Sequence, residues 1–191
     1  MKILRSRIIK LLMIAFLVGF ILGIISFIIT NKKEISSETI NYINLIKNGK
    51  FNYLISLYYS IKSNIKISFI IWIFGILFIF SILNVFIIAY RGISLGFMIS
   101  TIIYTFKLKG AVIGLILLIN NALNICIFIL LSYFSINFSI KSFNAYRNNR
   151  SINYKDFFIK YIYIYLILFF VLILSSFIEV YLSSNLIKFV V

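Results

Sequence analysis

The 191-residue sequence predicts an all-α, polytopic membrane protein, with five transmembrane helices and one amphipathic, extracytoplasmic helical connection. Three observations carry this. The chain is 63% hydrophobic and only 12% charged, too little polar surface to cover a soluble globule. Long uncharged blocks recur at 11–31, 67–90, 92–106, 110–140 and 161–178. Six of the eight glycines form three G-x-x-x-G pairs inside such blocks: Gly19/Gly23, Gly92/Gly96 and Gly110/Gly114. Glycines four apart leave a groove on one helix face into which another backbone can settle, and helices pack this way in lipid.

The elements follow in order as one integral membrane domain, 1–191, with spans near 8–31, 67–90, 92–106, 110–140 and 158–179 and a connection at 32–66. A span needs about 20 apolar residues at ~1.5 Å each. Lys2, Arg5, Arg7 and Lys10 precede the first block. That block is too long for a signal-peptide core and no small-residue cleavage site follows, so it reads as a retained span with a cytoplasmic start. In the connection, Ser36 or Ser37 can cap a helix, Glu38 suits its first turn, and Asn48-Gly49 can stop it. Ile40, Ile43 and Ile46 recur at three-residue spacing, which fits either an amphipathic helix at the headgroups or a segment packed on the bundle. Trp72 is a candidate interfacial anchor, and Tyr161, Tyr163 and Tyr165 a candidate aromatic belt. Arg91 interrupts the apolar sequence and marks a break near Arg91-Gly92, where it would flank the membrane and set topology. The block at 92–106 is the second arm of that broken helix, a short span or a re-entrant segment.

The formal charge is +15, from 19 basic and four acidic residues. The basic residues sit between apolar blocks, where they fix topology and attract anionic headgroups rather than nucleic acid. With five spans and a cytoplasmic start, ten fall inside (Lys2, Arg5, Arg7, Lys10, Arg91, Lys141, Arg147, Arg150, Lys155, Lys160) and the other nine outside. The single cysteine, Cys126, lies in an apolar block and cannot form an internal disulfide.

Chemistry-bearing residues are sparse. There is no histidine, and Glu34, Glu38, Asp156 and Glu179 are the whole acidic complement. No nucleophile elbow, phosphate loop or zinc motif is present. We expect no catalytic, cofactor or metal site. The residues that stand out are candidates for helix packing and structure: Gly19, Gly23, Arg91, Gly92, Gly96, Ser100, Gly110, Gly114, Asn120, Asn121 and Glu179. Gly92, Gly96 and Ser100 make a ladder of small residues. Asn120, Asn121 and Asn124 are polar groups at membrane depth, suited to interhelical hydrogen bonds or to lining a substrate path. Glu179 closes the last block, where its carboxylate can pair with Lys188 or with a partner's cation.

The stretch Arg91-Gly92-x-Ser94-x-Gly96-Phe97, then Leu108-Lys109-Gly110 and an apolar run reaching Asn120-Asn121, resembles the stage II sporulation protein M family. So does the ending Phe177-Ile178-Glu179-Val180-Tyr181 followed by Asn185-Leu186-Ile187. The resemblance covers essentially the whole chain. Where the family usually shows a Pro-Gln-Asn element, this chain reads Asn120-Asn121-Ala122, without the proline. The resemblance implies a non-enzymatic membrane scaffold of endospore engulfment, localised at the sporulation septum in the cell membrane. Its implied partners are membrane lipids and other sporulation membrane proteins, among them peptidoglycan hydrolases; the packing faces also suit a homo-oligomer. A permease subunit paired with a separate ATPase is the alternative.

Overall fold

A computed structural model describes residues 2–30, 32–47, 52–147 and 154–190. Among these every long element is helical. The order is α1 (Lys2–Ile29), α2 (Lys32–Lys47), α3 (Tyr53–Ile76), a short 3-10 turn (Phe78–Ile82), α4 (Leu83–Arg147) and α5 (Tyr154–Val190). By length and composition Arg7–Ile29, Phe78–Ala145 and Lys155–Ile187 can each cross a membrane. The fold is therefore that of an all-α membrane protein.

α4 is two helices rather than one. Lys107 has φ 50° and ψ −121°, the geometry of the first central residue of a II′ turn, which glycine adopts far more readily than lysine. The chain reverses there: a Cβ at Gly110 would meet the Ile102 carbonyl, and Gly114 lies against Ile99. The arms 83–106 and 108–147 are thus antiparallel. No other residue of α4 leaves helical geometry, so the Asn120-Asn121-Ala122 segment runs without a kink.

The expected break at Arg91-Gly92 is not where the chain turns. The turn lies at Leu77–Ile82, where Leu77 is extended (φ −83°, ψ 92°), and Arg91 sits well inside the first arm of α4. The block at 67–90 therefore contains the end of α3, the turn and the start of α4, and 92–106 is a continuation of a full-length helix. The turn carries no glycine or proline, and in lipid its carbonyls need internal donors. They find them in serines and a tyrosine from elsewhere. Ser139 and Ser81 both donate to the Phe78 carbonyl at 3.0 Å. Upstream, Ser135 donates to the Ile71 carbonyl and Tyr161 to that of Trp72.

The connection is shorter than 32–66. α3 begins at Tyr53, with the Asn52 side chain accepting from the Leu54 and Ile55 amides, so 53–66 belongs to a helix that continues inward. Lys62 and Lys66 point outward from it. α2 packs on the bundle: Ile43 and Ile46 are buried with Ile102, Ile113 and Ile187, while Ile40 stays exposed. Its proposed stop at Asn48-Gly49 lies outside the described residues.

α1 and the first arm of α4 run parallel, since Gly19 meets Ala89, Gly23 meets Ile93, and Phe27 packs edge-on against Phe97 and Tyr104. α3 and α5 run antiparallel, with Tyr53 stacked on Tyr181 and Trp72 on Tyr161. Five long arms therefore alternate in direction. One end holds the Phe78–Ile82 turn; the other holds α2 and the Lys107 turn. Tyr161 faces inward rather than into a belt, and Tyr163 is exposed. With Arg91 withdrawn from the boundary, the ten-to-nine charge count becomes nine at each end.

Two outcomes follow. In a protein whose Cys126 is replaced, Ile79→Cys and Leu108→Cys should react with a membrane-impermeant thiol reagent from opposite sides; reaction from one side would refute the alternating arms. Gly96→Ile should lower accumulation in the membrane, with a loss of more than about 2 kcal/mol in detergent unfolding, because the side chain is driven into the Phe20 carbonyl.

Candidate functional site

Two features concentrate the polar chemistry of the interior: a network spread over α3, α4 and α5, and a cavity beneath α2.

The network starts at Arg91. Its guanidinium donates to the Asn64 Oδ1 at 2.7 Å and lies 4.5 Å from the centroid of the fully buried Phe128 ring. A desolvated cation over a ring gains about 2 kcal/mol. The Asn64 Nδ2 donates to Ser176 at 2.9 Å, and Ser176 donates in turn to the Leu172 carbonyl. One helical turn away on each helix, Ser60 donates to the Glu179 Oε2 at 3.1 Å, and Asn124 donates to the same oxygen at 2.9 Å. Asn64, Asn124 and Ser176 are all buried. Arg91 and Glu179 act on each other electrostatically across these amides and hydroxyls. A cation and a carboxylate at membrane depth are each costly alone, and here each is met by neutral dipoles from neighbouring helices, Arg91 by Asn64 and Glu179 by Ser60 and Asn124.

Arg91 is therefore a half-buried tie between helices rather than a membrane flank, and Glu179 lies inside α5, which continues to Val190. Asn124, which the expectation grouped with Asn120 and Asn121, supplies the interhelical bond. Asn121 donates to the Leu117 carbonyl of its own helix, and Asn120 is buried with its Nδ2 unpartnered. The Ser100 hydroxyl bonds back to the Gly96 carbonyl.

The glycine pairs do separate work. Gly19 and Gly23 face the first arm of α4, and Gly92 and Gly96 face α1 at Phe16 and Phe20. A Cβ at any of the four would strike a backbone carbonyl oxygen, so the seam is backbone on backbone from both sides. Gly110 plays the same part across the Lys107 turn, and a Cβ at Gly114 would lie 3.2 Å from the Ile99 side chain. Gly75, which belongs to no pair, is also required: it admits the Tyr161 hydroxyl and Ser135. A lone glycine in an apolar run carries no spacing signal, which is why sequence reasoning missed it. Ser60, Asn64 and Ser176 were missed for a similar reason, since single small polar residues are common on membrane helices.

The cavity has a volume of about 630 Å³, is lined by α2, α3, both arms of α4 and α5, and is open on one side. Glu179 and Ser60 reach it from the network, Ser94, Thr101 and Asn121 line it from α4, and Glu38 reaches it from α2. The apolar part of its wall includes Phe97, Met98 and Ile113. This is a well-formed pocket of the size that holds small molecules, with a few convergent polar groups.

Arg91→Met should cost about 2 kcal/mol in detergent unfolding, since it strips Asn64 of its donor and Glu179 of its countercharge. Arg91→Lys should recover only part of this, because an ammonium cannot both stack on Phe128 and reach Asn64. A cycle with Glu179→Gln should give a coupling of about 1 kcal/mol; additive losses would show that the two charges do not interact.

No curated protein and no solved structure matches the chain. A family model described as stage II sporulation protein M matches residues 12–184, which takes in α2, α3 and α4 whole and the greater part of α1 and α5. A match over that extent makes the chain a member of the stage II sporulation protein M family, and so a sporulation-related membrane protein.

Proposed function

We propose that the protein is a non-enzymatic scaffold of endospore engulfment. It sits in the membrane of the sporulation septum with its N-terminus cytoplasmic and recruits septal peptidoglycan-degrading partners. The observation that carries this reading is family membership over almost the whole chain. The geometry supports it in one respect. The backbone seam between α1 and α4 and the cross-helix network hold the bundle in a single arrangement, as a platform for partners requires. Meanwhile the apolar flanks of α1, α4 and α5 stay exposed to lipid and to other membrane helices.

A second reading is favoured by the cavity: a permease subunit coupled to a separate ATPase, through the basic segment at 141–160. The two separate cleanly, since a scaffold co-purifies with cell-wall hydrolases and a permease subunit with an ATP-hydrolysing partner.

Deleting the gene in a sporulating host should leave the asymmetric septum intact and block engulfment, with bulging of the septal membrane visible by fluorescence microscopy. The wild-type gene should restore engulfment, and Gly96→Ile should not. Engulfment at the normal rate in the deletion strain would refute the scaffold reading.

A further inference from the structure

We propose that the cavity beneath α2 binds a primary alkylammonium ion, with the ammonium group at the Glu179 carboxylate and the carbon chain against the apolar wall. The inference is independent of the scaffold reading.

The chemical class follows from what the lining has left to offer. Several of its donors are already spent on the protein. Ser60 donates to Glu179, Thr101 to the Phe97 carbonyl, Asn121 to the Leu117 carbonyl, and Ser183 to the Glu179 carbonyl. Each of these hydroxyls keeps acceptor lone pairs, and the Ser56, Ser94 and Ser184 hydroxyls, which also line the cavity, can accept as well as donate. Both bonds to the Glu179 carboxylate fall on Oε2, leaving Oε1 without a bond among the described residues. A carboxylate oxygen with no bond, set among hydroxyl lone pairs, suits an occupant rich in donors, and an ammonium group is three donors and no acceptor.

Charge agrees. In a chain of formal charge +15, two of the four carboxylates, Glu38 and Glu179, line this one cavity, and none of its described lining residues is basic. Arg91 offsets part of the Glu179 charge, but it is turned to Asn64 and Phe128 and does not line the cavity. Glu38 on α2 restores a negative field at the opposite wall. Phe97, Met98 and Ile113 then give an alkyl chain an apolar surface, which a bare metal cation would not use.

The test uses the full chain in lipid nanodiscs at neutral pH with radiolabelled n-butylamine, which is protonated there. Saturable binding is expected, with competition by unlabelled butylamine and none by butyrate or n-butanol at the same concentration. Glu179→Gln should weaken binding about tenfold, as loss of a partly desolvated charge partner does. That variant also removes a tie between helices, so Thr101→Val with Asn121→Leu is the companion. Both side chains donate only to their own helix, so the pair removes cavity acceptors without uncoupling helices, and it should weaken binding by a factor of about three or more. Three results would each overturn the proposal: no saturable binding to the native chain, competition by n-butanol equal to that of butylamine, or native affinity in both variants. None of them bears on engulfment, which is read in cells.

Discussion

A charge placed at hydrocarbon depth must be answered by other groups of the protein, because lipid supplies no counterion and no hydrogen bond. Arg91 and Glu179 impose that constraint here, and much of the bundle is arranged around them. They stand on different helices: Asn64, itself bonded to Ser176, answers Arg91, and Ser60 and Asn124 answer Glu179. These bonds fix the rotation of α3, both arms of α4 and α5 about their axes, since turning any one of them would withdraw its polar group. Apolar packing alone would not do this, because lipid tails are as good a neighbour for leucine as another leucine is.

α1 takes no part in the network and is held by a different force. Its glycines and those of the first arm of α4 bring two backbones together, and many small dispersion contacts at short range replace the missing polar ties. The two mechanisms divide the molecule: polar ties among α3, α4 and α5, and a close backbone seam between α1 and the first arm of α4. At one end, Ser135, Ser139 and Tyr161 supply donors to the last turns of α3 and the turn beyond it, which lets a largely apolar turn exist without glycine or proline. At the other end, Lys107 holds a backbone conformation that costs a non-glycine residue on the order of 1 kcal/mol or more, a strain that packing of the two arms offsets.

The cavity lies where these two regions meet α2. Glu179 belongs to both, so the residue that ties helices together is also the one that an occupant would touch. α2 roofs the cavity through Ile43 and Ile46, which insert between the Lys107 turn and the end of α5.

Several things were legible in the sequence alone: a membrane protein, all helical, with Gly19, Gly23, Gly92, Gly96 and Gly110 as close-packing positions and the family to which it belongs. The first three rest on composition and fixed spacing and the family on a resemblance of motifs, and all of these survive without knowledge of what faces what. The helix ends were less legible. The block at 67–90 has no glycine or proline at its turn, because the donors that permit the turn come from Ser135, Ser139 and Tyr161, more than fifty residues away. The roles of Arg91, Glu179 and Asn124 were likewise decided only by tertiary structure. A charge beside an apolar block reads as a membrane flank until its partners are known, and those partners lie on other helices. Spacing along one helix determines which residues share a face; only the packed bundle determines what that face meets.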